Sequence, residues 1–125
     1  MTEDELKWLR GQFERCTPWI QAALDRDIGA FNIDDVWEYI ATGKAQLWAL
    51  PESVVITALE HFPRKTVLRY WLCGGDLEDC LKAEANIEAW AKRAGAVCAV
   101  IGGRRGWVRA LKGYRETCVF MTKDF

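Results

Sequence analysis

Thr66-Val-Leu-Arg-Tyr-Trp-Leu-Cys-Gly-Gly-Asp-Leu-Glu-Asp79 is the stretch on which the fold turns. Its first eight residues are rich in β-branched and aromatic side chains, the composition of a strand. Gly74 and Gly75 are expected to break that strand. Asp76 then stands at a helix N-cap position, with Glu78 and Asp79 in the acidic first turn that a helix dipole favours. Leu77, Cys80, Leu81, Ile87, Trp90 and Ala94 recur at helical spacing, and Gly95 supplies the stop. The run Ala-Val-Cys-Ala-Val-Ile at 96–101 is continuously apolar, as in a strand covered on both faces. Strand, helix and strand of these lengths imply a right-handed parallel crossover. Ligands of such units bind where the first strand meets the helix, here residues 73–79.

Outward from this unit, residues 2–15 form an amphipathic pattern with Leu6, Leu9 and Phe13 on one side. Thr17-Pro18 reads as a helix restart, Thr as N-cap and Pro at the first helical position. Trp19, Ile20, Ala23 and Leu24 would be the apolar side of that second helix. Asn32 or Asp34 would cap a third, with Ile33, Val36, Trp37 and Ile40 inward and Gly43 as its stop. Strand patterns at 44–50 and 54–59, with turns at 51–53 and 63–65, predict an antiparallel meander leading into Thr66. Downstream, 102–106 is a Gly/Arg loop, 107–112 a short helix ended by Gly113, and 117–122 a last strand. There is no internal repeat or linker.

At 125 residues, half of them hydrophobic and seven of them Trp, the chain is expected to be one ordered domain. No apolar run reaches the roughly 18 residues of a membrane span, so no membrane insertion is expected. The acidic start, Met1-Thr-Glu-Asp-Glu5, resembles neither a signal nor a transit peptide. Cys16, Cys73, Cys80, Cys98 and Cys118 are scattered and lack any CxxC pair, so they read as reduced, mostly buried thiols of a cytoplasmic protein. With His61 as the one histidine, no metal site is expected. Charge is uneven. Residues 1–62 carry 5 basic and 11 acidic side chains, a net of −6, and residues 63–125 carry 12 and 7, a net of +5. This asymmetry suits head-to-tail association, or two solvated faces.

The element order is an α+β mixed sheet: helices, antiparallel meander, parallel strand–helix–strand crossover, short helix and final strand. It resembles the GNAT acetyltransferase fold over residues 32–125, with 1–31 as a helical extension packed on it. In wording the chain is similar to small GNAT-like proteins of tailed bacteriophages. The shared features are Gly-Gly-Asp-Leu at 74–77, Trp90-Ala91, Gly-Arg-Arg-Gly-Trp-x-Arg-x-Leu at 103–111, and Gly-Tyr-Arg-Glu at 113–116. The resemblance implies a single domain in the host cytoplasm or an assembled virion, with other phage proteins or a second copy as partners.

In active members of that family the strand-to-helix loop carries an Arg/Gln-x-x-Gly-x-Gly/Ala pattern. There, glycines and free helix-start N–H groups hold the coenzyme A pyrophosphate. Here the corresponding residues are Cys73, Gly74, Gly75 and Asp76, with no basic side chain. Asp76 is expected to cap the helix itself, and with Glu78 and Asp79 to repel a diphosphate. Glu60 and His61 are candidate general bases. Tyr114 follows Gly113 and fits the family's packing aromatic better than its acid. Cys73 could be a nucleophile at a helix start, although the neighbouring acids oppose that. Arg104, Arg105, Trp107, Arg109, Lys112 and Arg115 form a basic, aromatic stretch suited to an acidic partner or to nucleic acid.

These observations lead to an expectation of a non-catalytic interaction component of the virion or its assembly, without a cofactor. The alternative is an acetyl-CoA-dependent N-acetyltransferase. It requires a V-shaped gap between the strands ending at Cys73 and beginning at Val97. A nucleic-acid-binding accessory protein is the second alternative.

Overall fold

The computed structural model describes residues 1–102 and 110–125. Helices α1 (Glu3–Leu24) and α2 (Ile33–Ala41) come first, followed by strands β1 (Gln46–Ala49), β2 (Ser53–His61) and β3 (Thr66–Gly75). Helix α3 (Leu77–Arg93) and strand β4 (Ala96–Ile101) complete the crossover. The four strands lie in sequence order in one sheet. β1, β2 and β3 are antiparallel neighbours, whereas β3 and β4 are parallel.

The sheet is covered on both faces, which follows from period-two alternation along β2. Val54 and Ile56 pack against Phe13, Cys16 and Ile20 of α1 and Val36 and Ile40 of α2. Val55, between them, faces the other way, into a cluster with Leu68 and Tyr70 of β3 and Ala83, Ile87 and Ala91 of α3. The register of β3 against β2 shifts between Ile56 and Thr57: Ile56 opposes Leu72, and Thr57 opposes Tyr70. Trp71 is thus the extra residue of a β-bulge. Strict alternation would place Tyr70 and Cys73 on opposite faces, but the bulge returns both to the α3 side. Trp71 turns to the other side, against Phe31 and Tyr39.

Several sequence-based expectations are corrected. The restart at Thr17-Pro18 is absent, and α1 runs through Pro18. Proline removes the N–H that would reach the Glu14 carbonyl, one turn back. Buried Phe13 and Cys16 before the proline and Ile20 and Leu24 after it hold both halves on one core. Thr2 caps α1 in a capping box with Glu5, and Asn32 caps α2 in another with Asp35. Leu6 is exposed rather than inward.

Gly74 and Gly75 do not end β3. They pair with Val54 and Ser53 of β2. β4 is not covered on both faces, since Val97 is 70% exposed and Cys98 is exposed as well. Residues 117–122 form no strand, and Val119, Phe120 and Met121 are exposed. The expected helix at 107–112 lies partly outside the described residues; of its remainder, Ala110 is helical and Leu111 buried.

The five thiols are unpaired, with Cys16 buried, Cys73 and Cys80 half-buried, and Cys98 and Cys118 exposed. Among the described residues no helix is long and apolar enough to cross a membrane, and no cluster could hold a metal ion.

Candidate functional site

The parallel pairing of β3 with β4 runs from Thr66 to Tyr70 and ends at Tyr70 opposite Ile101. β3 continues for five more residues to Gly75, held on one side by β2. Among the described residues no strand pairs with its other side. At Tyr70 β4 comes to its end while β3 runs on, which leaves a fork-like step in the sheet among the described residues, and α3 begins just beyond it.

A cavity of about 30 Å³ lies beside this fork, between the sheet and α3. Tyr70, Cys73 and Val55 line it from the sheet, Glu84 from α3, and Leu111 and Tyr114 from the segment after β4. Tyr70 is 8% exposed, and its hydroxyl is buried with no hydrogen-bond partner among the described residues. Burial pushes its pKa well above the usual phenol range, with Tyr114, Glu84, Glu88 and Cys73 adding to the rise. Tyr114 is pushed up to about 12, chiefly by burial and then by Glu84 and Glu88. Proximity to the Tyr70 hydroxyl offsets part of that rise, yet the two groups are not in hydrogen-bonding geometry. Both phenols are therefore protonated donors at neutral pH. Cys73, raised to about 12 by burial and then by Cys80, stays a thiol. A thiol held protonated by burial suits a packing role better than a nucleophile's.

The glycines serve the protein itself. A Cβ on Gly74 would stand 2.4 Å from the Trp19 carbonyl oxygen of α1. A Cβ on Gly75, whose φ is +94°, would stand 2.5 Å from the Glu52 carbonyl oxygen. Close approach of backbone to backbone, rather than of backbone to a phosphate, explains why both are glycine.

The expected acidic cap is also different from its sequence reading. Asp76 occupies the N-cap position of α3, but its side chain makes no capping hydrogen bond. The first-turn amides of α3 lack intrahelical partners by helix geometry, and the Asp76 side chain does not fill that role. Asp79 turns away and accepts hydrogen bonds from the Glu52 N–H and the Ser53 hydroxyl, both at 2.8 Å. Asp76 and Glu78 are exposed, and each exposed charge at a helix end is worth only about 0.3–1 kcal/mol. The repulsion inferred from three crowded carboxylates is correspondingly weaker.

Glu60 and His61 lie at the far end of β3. His61 pairs with Thr66, whereas the fork opens after Tyr70. Nine residues of extended chain separate Thr66 from Gly75, about 30 Å. Glu60 is engaged by the Arg69 guanidinium through both Nε and Nη2. His61 is exposed, with Nδ1 3.0 Å from the Thr66 hydroxyl. Neither converges with the helix start. Tyr114 alone of the three catalytic candidates reaches the fork. Lys112 and Arg115 are exposed, while Arg104, Arg105, Trp107 and Arg109 lie outside the described residues. Sequence reasoning missed Tyr70, Glu84 and Leu111. The one available signal for Tyr70 was the break in alternation at Trp71.

No protein-family profile and no curated protein sequence matches the chain. Among solved structures, it is similar to an aminoglycoside acetyltransferase from an uncultured soil metagenomic sample, solved in complex with sisomicin. Identity is 9%, the TM-score is 0.63, and the match covers 100% of this chain and 93% of that one. It is also similar to a GNAT family acetyltransferase of Staphylococcus aureus, at 13% identity and TM-score 0.56 over 100% of this chain and 95% of that one. The chain thus has a GNAT-like fold throughout its length. The expectation of a non-catalytic virion component is overturned, because the structures sharing this fold are acetyltransferases and favour the acetyl-transfer alternative.

Proposed function

We propose that this protein is an acetyl-CoA-dependent N-acetyltransferase with an amine acceptor. The observation that carries the reading is the fork: the pairing of β3 with β4 ends at Tyr70 and Ile101 while β3 runs on to Gly75, and α3 starts beside that free stretch with its N-cap side chain disengaged. The residues present fit the donor in two respects. A buried phenol without a partner faces the fork, and the first-turn amides of Leu77, Glu78 and Asp79 are oriented for an anion.

Acetyl-CoA, when bound, supplies an activated acyl carbon that an uncharged amine converts to an amide with release of a thiol. The chain's own residues have the following tasks. The unpaired side of β3 offers the backbone groups of residues 71–75 as hydrogen-bonding partners for an extended ligand. The α3 amides offer partial positive charge to a diphosphate, against the modest opposition of Asp76 and Glu78. Tyr114, held protonated, is placed to donate a hydrogen bond at the fork. The acidic first half of the chain, −6 over residues 1–62, attracts a cationic amine.

The test is calorimetric titration with acetyl-CoA, followed by thiol-release assays against a panel of polyamine acceptors. Micromolar donor binding and acceptor-dependent thiol release are the expected results. No heat of binding at high micromolar donor would refute the reading.

A further inference from the structure

We infer that Tyr70 is an acyl-recognition residue: its hydroxyl closes the blind end of the fork and donates a hydrogen bond to the carbonyl oxygen of a short acyl thioester. This rests on the acetyltransferase reading and adds to it the residue that recognises the acyl group and the limit on its length.

Three independent features of the molecule meet at this side chain. The first is position, because Tyr70 opposite Ile101 is the last pair of the two parallel strands, β4 ending there while β3 runs on. Anything lying along the freed side of β3 from the α3 end meets this residue at the apex. The second is an unmet demand. The hydroxyl is inaccessible and makes no hydrogen bond among the described residues, the nearby Tyr114 included. A phenol oxygen so placed carries a desolvation cost that an apolar ring of the same shape would avoid. The bulge at Trp71 is what keeps Tyr70 and Cys73 together on the cavity side. The third is size and lining. The space is about 30 Å³, on the scale of one water molecule, with Val55, Ile101 and Leu111 as apolar walls. A group that suits this place is small, apolar at its tip, and carries one acceptor oxygen. The acyl end of a two-carbon thioester has that character. A longer acyl chain would run into Leu111, which is 6% exposed.

Glu84 also borders the cavity, and its carboxyl pKa is raised by burial and then by Glu88. It makes no hydrogen bond to the Tyr70 hydroxyl.

The test compares wild type, Tyr70→Phe and Leu111→Ala in calorimetric titrations with free coenzyme A, acetyl-CoA and butyryl-CoA, alongside thermal unfolding. For Tyr70→Phe the expected result is roughly three- to tenfold weaker binding of acetyl-CoA, the scale of one neutral hydrogen bond. Binding of free coenzyme A is expected to be unchanged. The same variant is expected to unfold at an equal or higher temperature without ligand, since it loses an unpartnered buried hydroxyl. A structural role would instead lower that temperature and leave the acetyl-CoA to coenzyme A ratio alone. Leu111→Ala is expected to raise butyryl-CoA affinity relative to acetyl-CoA severalfold. An unchanged acetyl-CoA to coenzyme A ratio in Tyr70→Phe, with wild type binding both, overturns this inference and leaves the acetyltransferase reading standing. Wild type binding none of the three overturns both.

Discussion

Gly74→Ala tests whether the glycine pair serves the core or a ligand. The new methyl would sit 2.4 Å from the Trp19 carbonyl oxygen, 2.9 Å from its carbon and 3.0 Å from its Cβ. Two of those three atoms are backbone in the middle of a 22-residue helix, so they can yield only if α1 shifts off β3. Such overpacking costs about 1–3 kcal/mol, and more where the neighbour cannot move. For a chain of this size the expected loss is roughly 5–15 °C in unfolding temperature. Gly11→Ala is the matched control, because Gly11 lies in the same helix with nothing within 4 Å of a Cβ. There the methyl should stabilise by about 0.5–1 kcal/mol through helix propensity. Urea unfolding of both variants, read by Trp fluorescence, gives the comparison. If Gly74→Ala unfolded within 0.5 kcal/mol of wild type while losing donor affinity, Gly74 would be a ligand cradle and the packing argument would be wrong.

Three further outcomes are expected. Pro18→Ala should stabilise by about 1–3 kcal/mol in urea, because alanine restores the missing N–H inside α1; a loss of stability would show that the proline ring packs usefully. Tyr70 and Tyr114 both ionise above the ordinary phenol pKa in the folded state, Tyr114 at about 12. The unfolded chain therefore loses these protons first. Their contribution is complete below about pH 10 and declines as pH rises toward 12, so stability followed by circular dichroism should fall across that interval. Brief iodoacetamide labelling at pH 8 should modify Cys98 and Cys118, which are exposed, and spare Cys16 and Cys73, whose thiols burial holds protonated. Mass spectrometry of the peptides would show the reverse order if that burial were wrong.

The crossover was legible because its signals are local. β-branched residues at 66–73, acidic residues at the helix start and Gly95 at its end each act within a few positions. The covered strand Val54-Val-Ile56 was equally plain. What the sequence could not disclose depends on partners distant along the chain. Thr17-Pro18 matches a helix start, but burial of Phe13, Cys16, Ile20 and Leu24 on one core outweighs one missing hydrogen bond. Gly74-Gly75 matches a strand end, yet its purpose is approach to Trp19 and Glu52, far off in sequence. An Asp before a helix predicts a cap, whereas the capping bond is absent and Asp79 is drawn to another turn. The apolar run at 96–101 fits a covered strand, but β4 is the outer strand of the described sheet. Of the candidate site, the strand-to-helix junction at 73–79 was legible as a junction. Tyr70 was not, because a bulge set by pairing with β2 decides which way it faces.

The short connection between β1 and β2 is held from two directions. Arg15 of α1 donates from Nη2 to the Leu50 carbonyl at 2.9 Å, while Asp79 of α3 takes the Glu52 N–H and the Ser53 hydroxyl. Hairpin tips ordinarily accept extra residues with little penalty, but this one is a fastening for the helices of both layers. One inserted residue here would unclip the start of α3 and the middle of α1 together. Evolutionary lengthening of the domain is thus steered elsewhere, for instance to the exposed bend between β2 and β3, where no such clasp exists among the described residues.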